Sequence, residues 1–474
     1  MIRLRRDRAL WMMIGVALVL RLVVASWPVF HHSDELWQYL EPARHLTGHD
    51  WVATWEYRSG ARSWLLPMLF AGPVALGDWI APGTFLSVVL ARLVCVAVSL
   101  GAIAGAAGLG FRVSRLHGLV AAFVACFWYE LVYFAPRTLS EPIATALILL
   151  ACWLLFASDR KRLVPGGLLL GVACMVRIQY APAALVLAAW ALRLDTRNWL
   201  RFAIGGTAAL AISAVADLLA GAVPFGWIVQ SVSANLIAGK AASFGVSPPY
   251  GYLTEIAGLW GWAAIPILAL AVVGARRYPA LFAAAAVNLA VHSAIGHKEY
   301  RFILLTTVLL VLLAAIGSVD VAGTWRKAPR AALVLGTAWL ALSIGCGALG
   351  SSTRDWGQNG KLVRAWRMVR DARGLCAAAV YRMREQPIAS YTLLGRDVPL
   401  YQFDDEHAAS ARTSRAFNLL LGPEATARDV LGFRLLGCGD SAHDYCVFQR
   451  PGGCSAGAAD RAFRVDGALA QAKF

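Results

Sequence analysis

His31-His32-Ser33-Asp34-Glu35-Leu36-Trp37-Gln38 follows almost directly on the apolar run Ala9–Trp27, so two adjacent carboxylates emerge at the mouth of a membrane-length segment. Carboxylates are costly beside lipid and are kept there when they have a role. The run is long enough to cross a bilayer, and Arg3, Arg5, Arg6 and Arg8 precede it. That flank predicts a cytoplasmic N-terminus. Val24-Ala25-Ser26 is a poor cleavage site, so an uncleaved first span is expected in preference to a signal peptide.

The composition extends this pattern along the chain. Of 474 residues, 59% are hydrophobic and only 15% charged, outside the soluble range and typical of an α-helical polytopic membrane protein. A formal charge of +16 raises the question of nucleic acid. No reading motif accompanies it, and the basic residues cluster between apolar segments, so the charge reports topology and no nucleic-acid partner is expected.

Further spans are expected at 84–110, 118–135, 142–158, 165–179, 181–194, 203–222, 252–273, 280–296, 303–320 and 331–349, about eleven in all. The piece from Leu65 to near Gly77 is too short to cross, and Pro67, Pro73 and Asp78 interrupt or bound it, so it is expected to lie in the interface. With the N-terminus inside, this count puts Arg112/Arg115, Asp159-Arg160-Lys161-Arg162, Arg193/Arg197/Arg201, Arg276-Arg277 and Arg326-Lys327/Arg330 on the inner side. It puts 28–83, 136–141, 223–251, 297–302 and everything beyond 350 on the opposite face. Two regions are thereby predicted: a transmembrane catalytic domain over 1–350, whose first outer loop is 28–83, and a small extramembrane α/β domain over 351–474. Five cysteines lie in apolar segments; Cys376, Cys438, Cys446 and Cys454 lie in the polar C-terminal region, an even number compatible with two disulfides in an oxidising compartment.

Four polar motifs reach the outer face. Around Asp34 and Glu35 stand Trp37, Gln38, Trp55, Glu56 and Arg62. Inverting sugar transfer needs one carboxylate to take the proton of an acceptor hydroxyl, and aromatic rings offer faces on which sugars stack. An interfacial aromatic belt with capping acids is the plainer alternative. Arg137-Thr138-Leu139-Ser140-Glu141-Pro142 joins a helix-start pattern to a potential Arg137–Glu141 pair. The loop with Asn235 and Tyr250 is a weaker candidate lining. His297-Lys298-Glu299-Tyr300-Arg301-Phe302 concentrates cations on the face where they are disfavoured, which a lipid phosphate explains; an intramolecular pair with Glu299 is the plainer alternative. Arg177, near the outer end of its span, joins the phosphate candidates or snorkels. Arg21, Arg92 and Asp217 are buried by position and open in role. His31, His32, Asp34 and Glu35 are metal-ligand types at no diagnostic spacing, so no cofactor is expected and a divalent cation is the alternative. No phosphate-cradling Gly-rich loop argues for a nucleotide-driven pump.

His-Ser-Asp34-Glu35-Leu-Trp-Gln38, Thr54-Trp-Glu-Tyr57, Arg62-Ser-Trp-Leu-Leu-Pro67 and His297-Lys-Glu-Tyr-Arg-Phe302, in this order, resemble glycosyltransferase family 22 over roughly residues 10–320. The resemblance implies the GT-C architecture, a catalytic acid in the first outer loop and a lipid-phosphate-linked sugar donor, mannose in characterised members, transferred with inversion. By motif, Asp34 takes the position of the catalytic acid and Glu35 that of its partner. The set His297, Lys298, Glu299 and Arg301 matches the second signature, and Asn235 with Tyr250 falls in the family's Asn-containing loop. Ser33 stands where the family often has Pro, and no aromatic cluster follows Asp217. Beyond 350 no family motif is present. Scarce lysine beside Arg, Ala and Gly suggests a GC-rich bacterial source, for which the resemblance implies a polyprenyl-phosphate donor and a glycan, glycolipid or protein acceptor. With the span count above, the site is expected to face the periplasm of a bacterial inner membrane, or the ER lumen in a eukaryotic source. A GT-C enzyme using glucose or a pentose, or a lipid-linked-saccharide flippase, is the competing expectation; a flippase should show repeated halves, and none are seen.

Overall fold

The computed structural model describes residues 7–323, 328–351, 356–381, 389–404, 406–427, 430 and 432–465. Arg326 and Lys327 of the last basic cluster lie outside them. The chain divides into two compact units: residues 1–26 with 92–354, and residues 27–91 with 355–474. The first outer loop thus groups with the C-terminal region, whereas the sequence places the single break near 350.

Among the described residues, six helices are long and apolar enough to cross a membrane: Arg8–Ser26, Leu86–Val113, Thr196–Leu219, Gly251–Ala275, Tyr300–Ala322 and Ala331–Leu349. The other five expected spans coincide with shorter helices. The predicted 118–135 span is interrupted at Trp128, whose extended backbone (φ −63°, ψ 125°) separates Arg115–Phe127 from Tyr129–Phe134. The predicted 252–273 span likewise turns at Gly261, which adopts φ 52°, a conformation that glycine tolerates.

Such interruptions expose backbone carbonyls where water is absent, and buried arginines answer them. Arg21 donates from its two terminal nitrogens to the carbonyls of Ala125 and Cys126, both at 2.9 Å, beside the break at Trp128. Arg92 donates to Ala25 at the end of the first helix (3.2 Å). Both arginines therefore have a structural task. Asp217 accepts from the backbone N–H of Phe225 (3.2 Å) and closes its own turn.

The first unit is built around Leu304–Ala322, which is buried along nearly its whole length. This helix is apolar all round, which a centrally packed helix must be. It runs against Ala264–Ala275 at a crossing without side chains. A Cβ on Gly317 would strike the Leu270 carbonyl, and one on Gly274 would strike the Leu313 carbonyl. Small residues permit this close approach, the usual device for packing helices where lipid removes the hydrophobic drive. The central helix carries His297–Phe302 immediately ahead of its first turns.

In the second unit, Leu65–Ile80 is one 16-residue helix that continues past Gly77 through Asp78. Asp78 does not stop it because Arg44 Nη1 donates to its carboxylate at 3.2 Å. The C-terminal region holds a five-stranded sheet of β1 (Ala378–Tyr381), β2 (Leu400–Phe403), β3 (Leu419–Gly422), β4 (Arg434–Cys438) and β5 (Cys446–Gln449) in the order β2-β1-β3-β5-β4. Strands β2, β1 and β3 are parallel, while β5 is antiparallel to β3 and β4. Gly360–Asp371 buries Leu362, Val363, Ala365, Trp366 and Val369, a 3.6-residue stripe. The four C-terminal cysteines form Cys376–Cys454 and Cys438–Cys446.

The glycine crossing yields a direct test. Gly317→Ala should lower stability by about 1–3 kcal/mol through overpacking. Gly336→Ala should change little, because a Cβ there meets nothing within 4 Å. Thermal unfolding midpoints of the two variants in detergent decide it; equal midpoints would contradict the packing described.

Candidate active site

Each unit holds one cluster of the residues singled out in the sequence. In the first, Glu141 opens the helix Ser140–Leu155 and is 1% exposed. Arg177 sits between Leu163–Val176 and the short turn Ile178–Tyr180 in extended conformation (φ −146°, ψ 92°), a break in the helix at that position. Its Nη1 lies 2.8 Å from Glu141 Oε1. Arg301, in the turn that starts the central helix, donates from Nε to Glu299 Oε2 at 2.5 Å and lies 3.8 Å from Glu141 Oε1. His297 Nε2 meets the other Glu299 oxygen at 2.9 Å. The result is an alternating series, Arg177–Glu141–Arg301–Glu299–His297. Both guanidiniums lie over the Phe302 ring, at 4.7 and 5.2 Å.

Two guanidiniums face two carboxylates here, so a protonated His297 gives the series a net positive charge. The hydrogen bond that His297 donates to Glu299 raises the histidine pKa above its ordinary value, outweighing the burial that opposes it. Lys298 is different from expectation. Its ammonium donates to the carbonyls of Ser293 (3.1 Å) and Ile295 (2.5 Å), capping the helix Pro279–Ser293. Arg137 is fully buried, with its guanidinium over Tyr133 at 4.3 Å, and it is Arg177 that pairs with Glu141. Asn235 donates back one turn to Ser231 (3.1 Å), and Tyr250 is 62% exposed. The sequence marked both as lining, and the structure brings neither into the ionic series.

In the second unit, Asp34 leads the π-helical turn Glu35–Leu40. Its side chain keeps 15% exposure and lies 3.3 Å from His32 Nδ1. Glu35 is fully buried and accepts the backbone N–H of His31 at 2.6 Å, so it braces its own turn. Gln38 donates to Glu56 (3.2 Å), Tyr57 donates to the Gln38 carbonyl (2.6 Å), and Arg62 lies 4.0 Å from Glu56. Burial works against the Arg62 charge, yet Tyr39, Glu56 and Asp34 together hold its pKa above the usual value. Trp51, Tyr57 and Trp64 pack into one half-buried nest with His45, which stacks on Trp51 at 4.6 Å. Trp37 points its Nε1 to the Ala389 carbonyl (3.0 Å), and Trp55 is partly exposed at the start of its own short helix.

Sequence inspection gave Glu41 no role, although it is fully buried and accepts three hydrogen bonds. Only its burial distinguishes it from a surface acid. Among the described residues, Glu424, Cys438, His443 and Cys446 also gather donor atoms of metal-ligand type. The two cysteines are joined to each other there, which removes them as ligands.

A profile of the Alg9-like mannosyltransferase family matches residues 11–349. The chain belongs to that family, and it is a glycosyltransferase. No curated protein sequence matches it. Among solved structures it is similar to ArnT from Cupriavidus metallidurans bound to undecaprenyl phosphate, at 13% identity and TM-score 0.59 over 93% of this chain and 98% of that one. The apo state of the same enzyme is similar at 13% identity and TM-score 0.56, over 98% of each chain. These likenesses show the GT-C fold of an integral membrane protein, and the family match makes it a glycosyltransferase.

The His297–Glu299 link makes stability depend on pH. A histidine whose folded pKa is raised adds stability that is complete below its unfolded value, about 6.5, and is lost as pH rises through the higher folded value. The midpoint difference between wild type and His297→Gln should therefore shrink between pH 6 and pH 9. A constant difference would show that His297 does not bind its proton through Glu299.

Proposed function

We propose that the protein is an inverting transferase that moves a hexose, mannose by family, from a polyprenyl-phosphate donor to a hydroxyl of a glycan or glycolipid acceptor. Asp34 takes the acceptor proton as the hydroxyl oxygen attacks the anomeric carbon. The bond from that carbon to the donor phosphate breaks, and the departing lipid phosphate gains negative charge. Arg301 and Arg177 stabilise that charge, with His297 supplying the proton-dependent share. No nucleotide enters the scheme, since the donor already stores the activation energy.

One observation carries the assignment of the base. Three acids are close in sequence, and Glu35 and Glu41 are fully buried in hydrogen bonds to their surroundings. Asp34 retains exposure and sits beside the Gln38–Glu56–Arg62 group and the Trp51–Tyr57–Trp64 nest, polar and aromatic surfaces suited to a sugar. The structurally similar enzyme binds undecaprenyl phosphate, which supports a polyprenyl carrier. The charge distribution of the spans supports a site on the non-cytoplasmic face, which we read as the periplasm of a bacterial inner membrane.

The experiment is transfer from a panel of polyprenyl-phosphate sugars (mannose, glucose and a pentose) into a lipid extract. Asp34→Asn should lower turnover on the order of 10²–10⁴-fold, with unchanged membrane insertion. Arg301→Lys, which keeps the charge and loses the fork, should raise KM for the donor. Near-normal turnover by Asp34→Asn would sink the assignment.

A further inference from the structure

Among the described residues, several that hold the turn carrying Asp34 lie beyond the family match, which ends at 349. Ahead of the acid, Asn359 Nδ2 donates to the Phe30 carbonyl at 3.0 Å, and Trp27 packs edge-on to Trp356. Behind it, Trp37 Nε1 donates to the Ala389 carbonyl at 3.0 Å. Glu41 Oε1 accepts from Ser390 Oγ (2.6 Å) and the Thr392 N–H (2.7 Å), and its Oε2 accepts from the Val52 N–H (2.9 Å). Asp397 then collects Arg44 Nη2 (3.0 Å), His49 Nδ1 (2.7 Å) and the Asp50 N–H (3.2 Å).

We infer that the C-terminal domain is the mount of the catalytic loop, and that Glu41 and Asp397 are positioning residues for Asp34. The inference rests on the assignment of Asp34 as the base. Three features carry it. Residues 27–60 contain only short helical pieces, none able to hold its place unaided. Hydrogen bonds to a buried carboxylate are among the stronger ones in a protein, and Glu41 has three. The contacts also fall on both sides of Asp34, so they fix its place along the turn as well as its distance from the sheet. A general base works only when its oxygen lies within hydrogen-bond reach of the proton it removes, so a displacement of about 1 Å matters on the order of 10²-fold. The C-terminal domain then tunes turnover without touching substrate.

The test uses the full-length protein in detergent with two readouts: hydrogen exchange of residues 31–46, and transfer kinetics. Glu41→Gln should raise exchange in that segment on the order of tenfold and lower kcat on the order of 10–100-fold, with donor KM little changed. Asp397→Asn lies on a partly exposed side chain (40%) and carries the same test should Glu41→Gln not fold. Asp460→Asn removes a contact to Ser414 elsewhere in the same domain and should leave both readouts unchanged. Unchanged exchange at 31–46 in both grip variants overturns the inference, and so does faster exchange with normal kcat. If the wild-type protein transfers no sugar from any donor, the assignment of Asp34 fails, while the exchange arm still decides whether this domain holds the turn.

Discussion

Polar groups removed from water must find their partners within the protein, and this constraint organises the buried charge throughout the chain. Arg21 and Arg92 answer carbonyls left open where helices stop. Lys298 does the same for the helix that ends at Ser293. In each case a cation takes the place that water would hold at a helix end in a soluble protein. Remove that requirement and broken helices such as Arg115–Phe127 and Tyr129–Phe134 have no reason to stay inside the fold.

The series Arg177–Glu141–Arg301–Glu299–His297 obeys the same constraint with a different outcome. A buried ion pair returns little net stability, because desolvation offsets its attraction, and apolar side chains of similar volume often serve as well. Packing alone therefore does not account for two arginines and two glutamates at the head of the central helix. The two carboxylates hold the guanidiniums in place and balance their charge until His297 is protonated, which is the basis of the phosphate role proposed above. The acid-bearing turn shows the complementary solution. There a flexible loop is given a fixed geometry by Glu41, a carboxylate without access to water, and by Asp397 at its rim.

Much of this was legible in the chain. Composition and the placement of Arg clusters identify a polytopic membrane protein, and helices occur wherever long apolar runs stand. Asp34-Glu35 and His297–Arg301 declare themselves by residue type, because charge beside a span is rare enough to be informative. The helix breaks at Trp128 and Gly261 were not legible: neither has a proline or a turn cluster beside it, and composition carries no sign of direction. Neither was the division of the chain, since an outer loop and a C-terminal domain share no motif that would announce their contact.

The sequence by itself determined the class of molecule, the family and the residue types available for chemistry. These depend on composition and on short-range order, which a linear string preserves. Only the tertiary structure decided which charges do what. Arg21 meets a carbonyl 105 residues away, Glu41 a hydroxyl 349 residues away, and Lys298 a carbonyl five positions back. A side chain's role is set by its partner and by its access to water, and both are properties of the folded chain. Asp34 and Glu35 are neighbours of the same charge; Glu35 is fully buried and braces a turn while Asp34 keeps partial exposure, and only the fold distinguishes them.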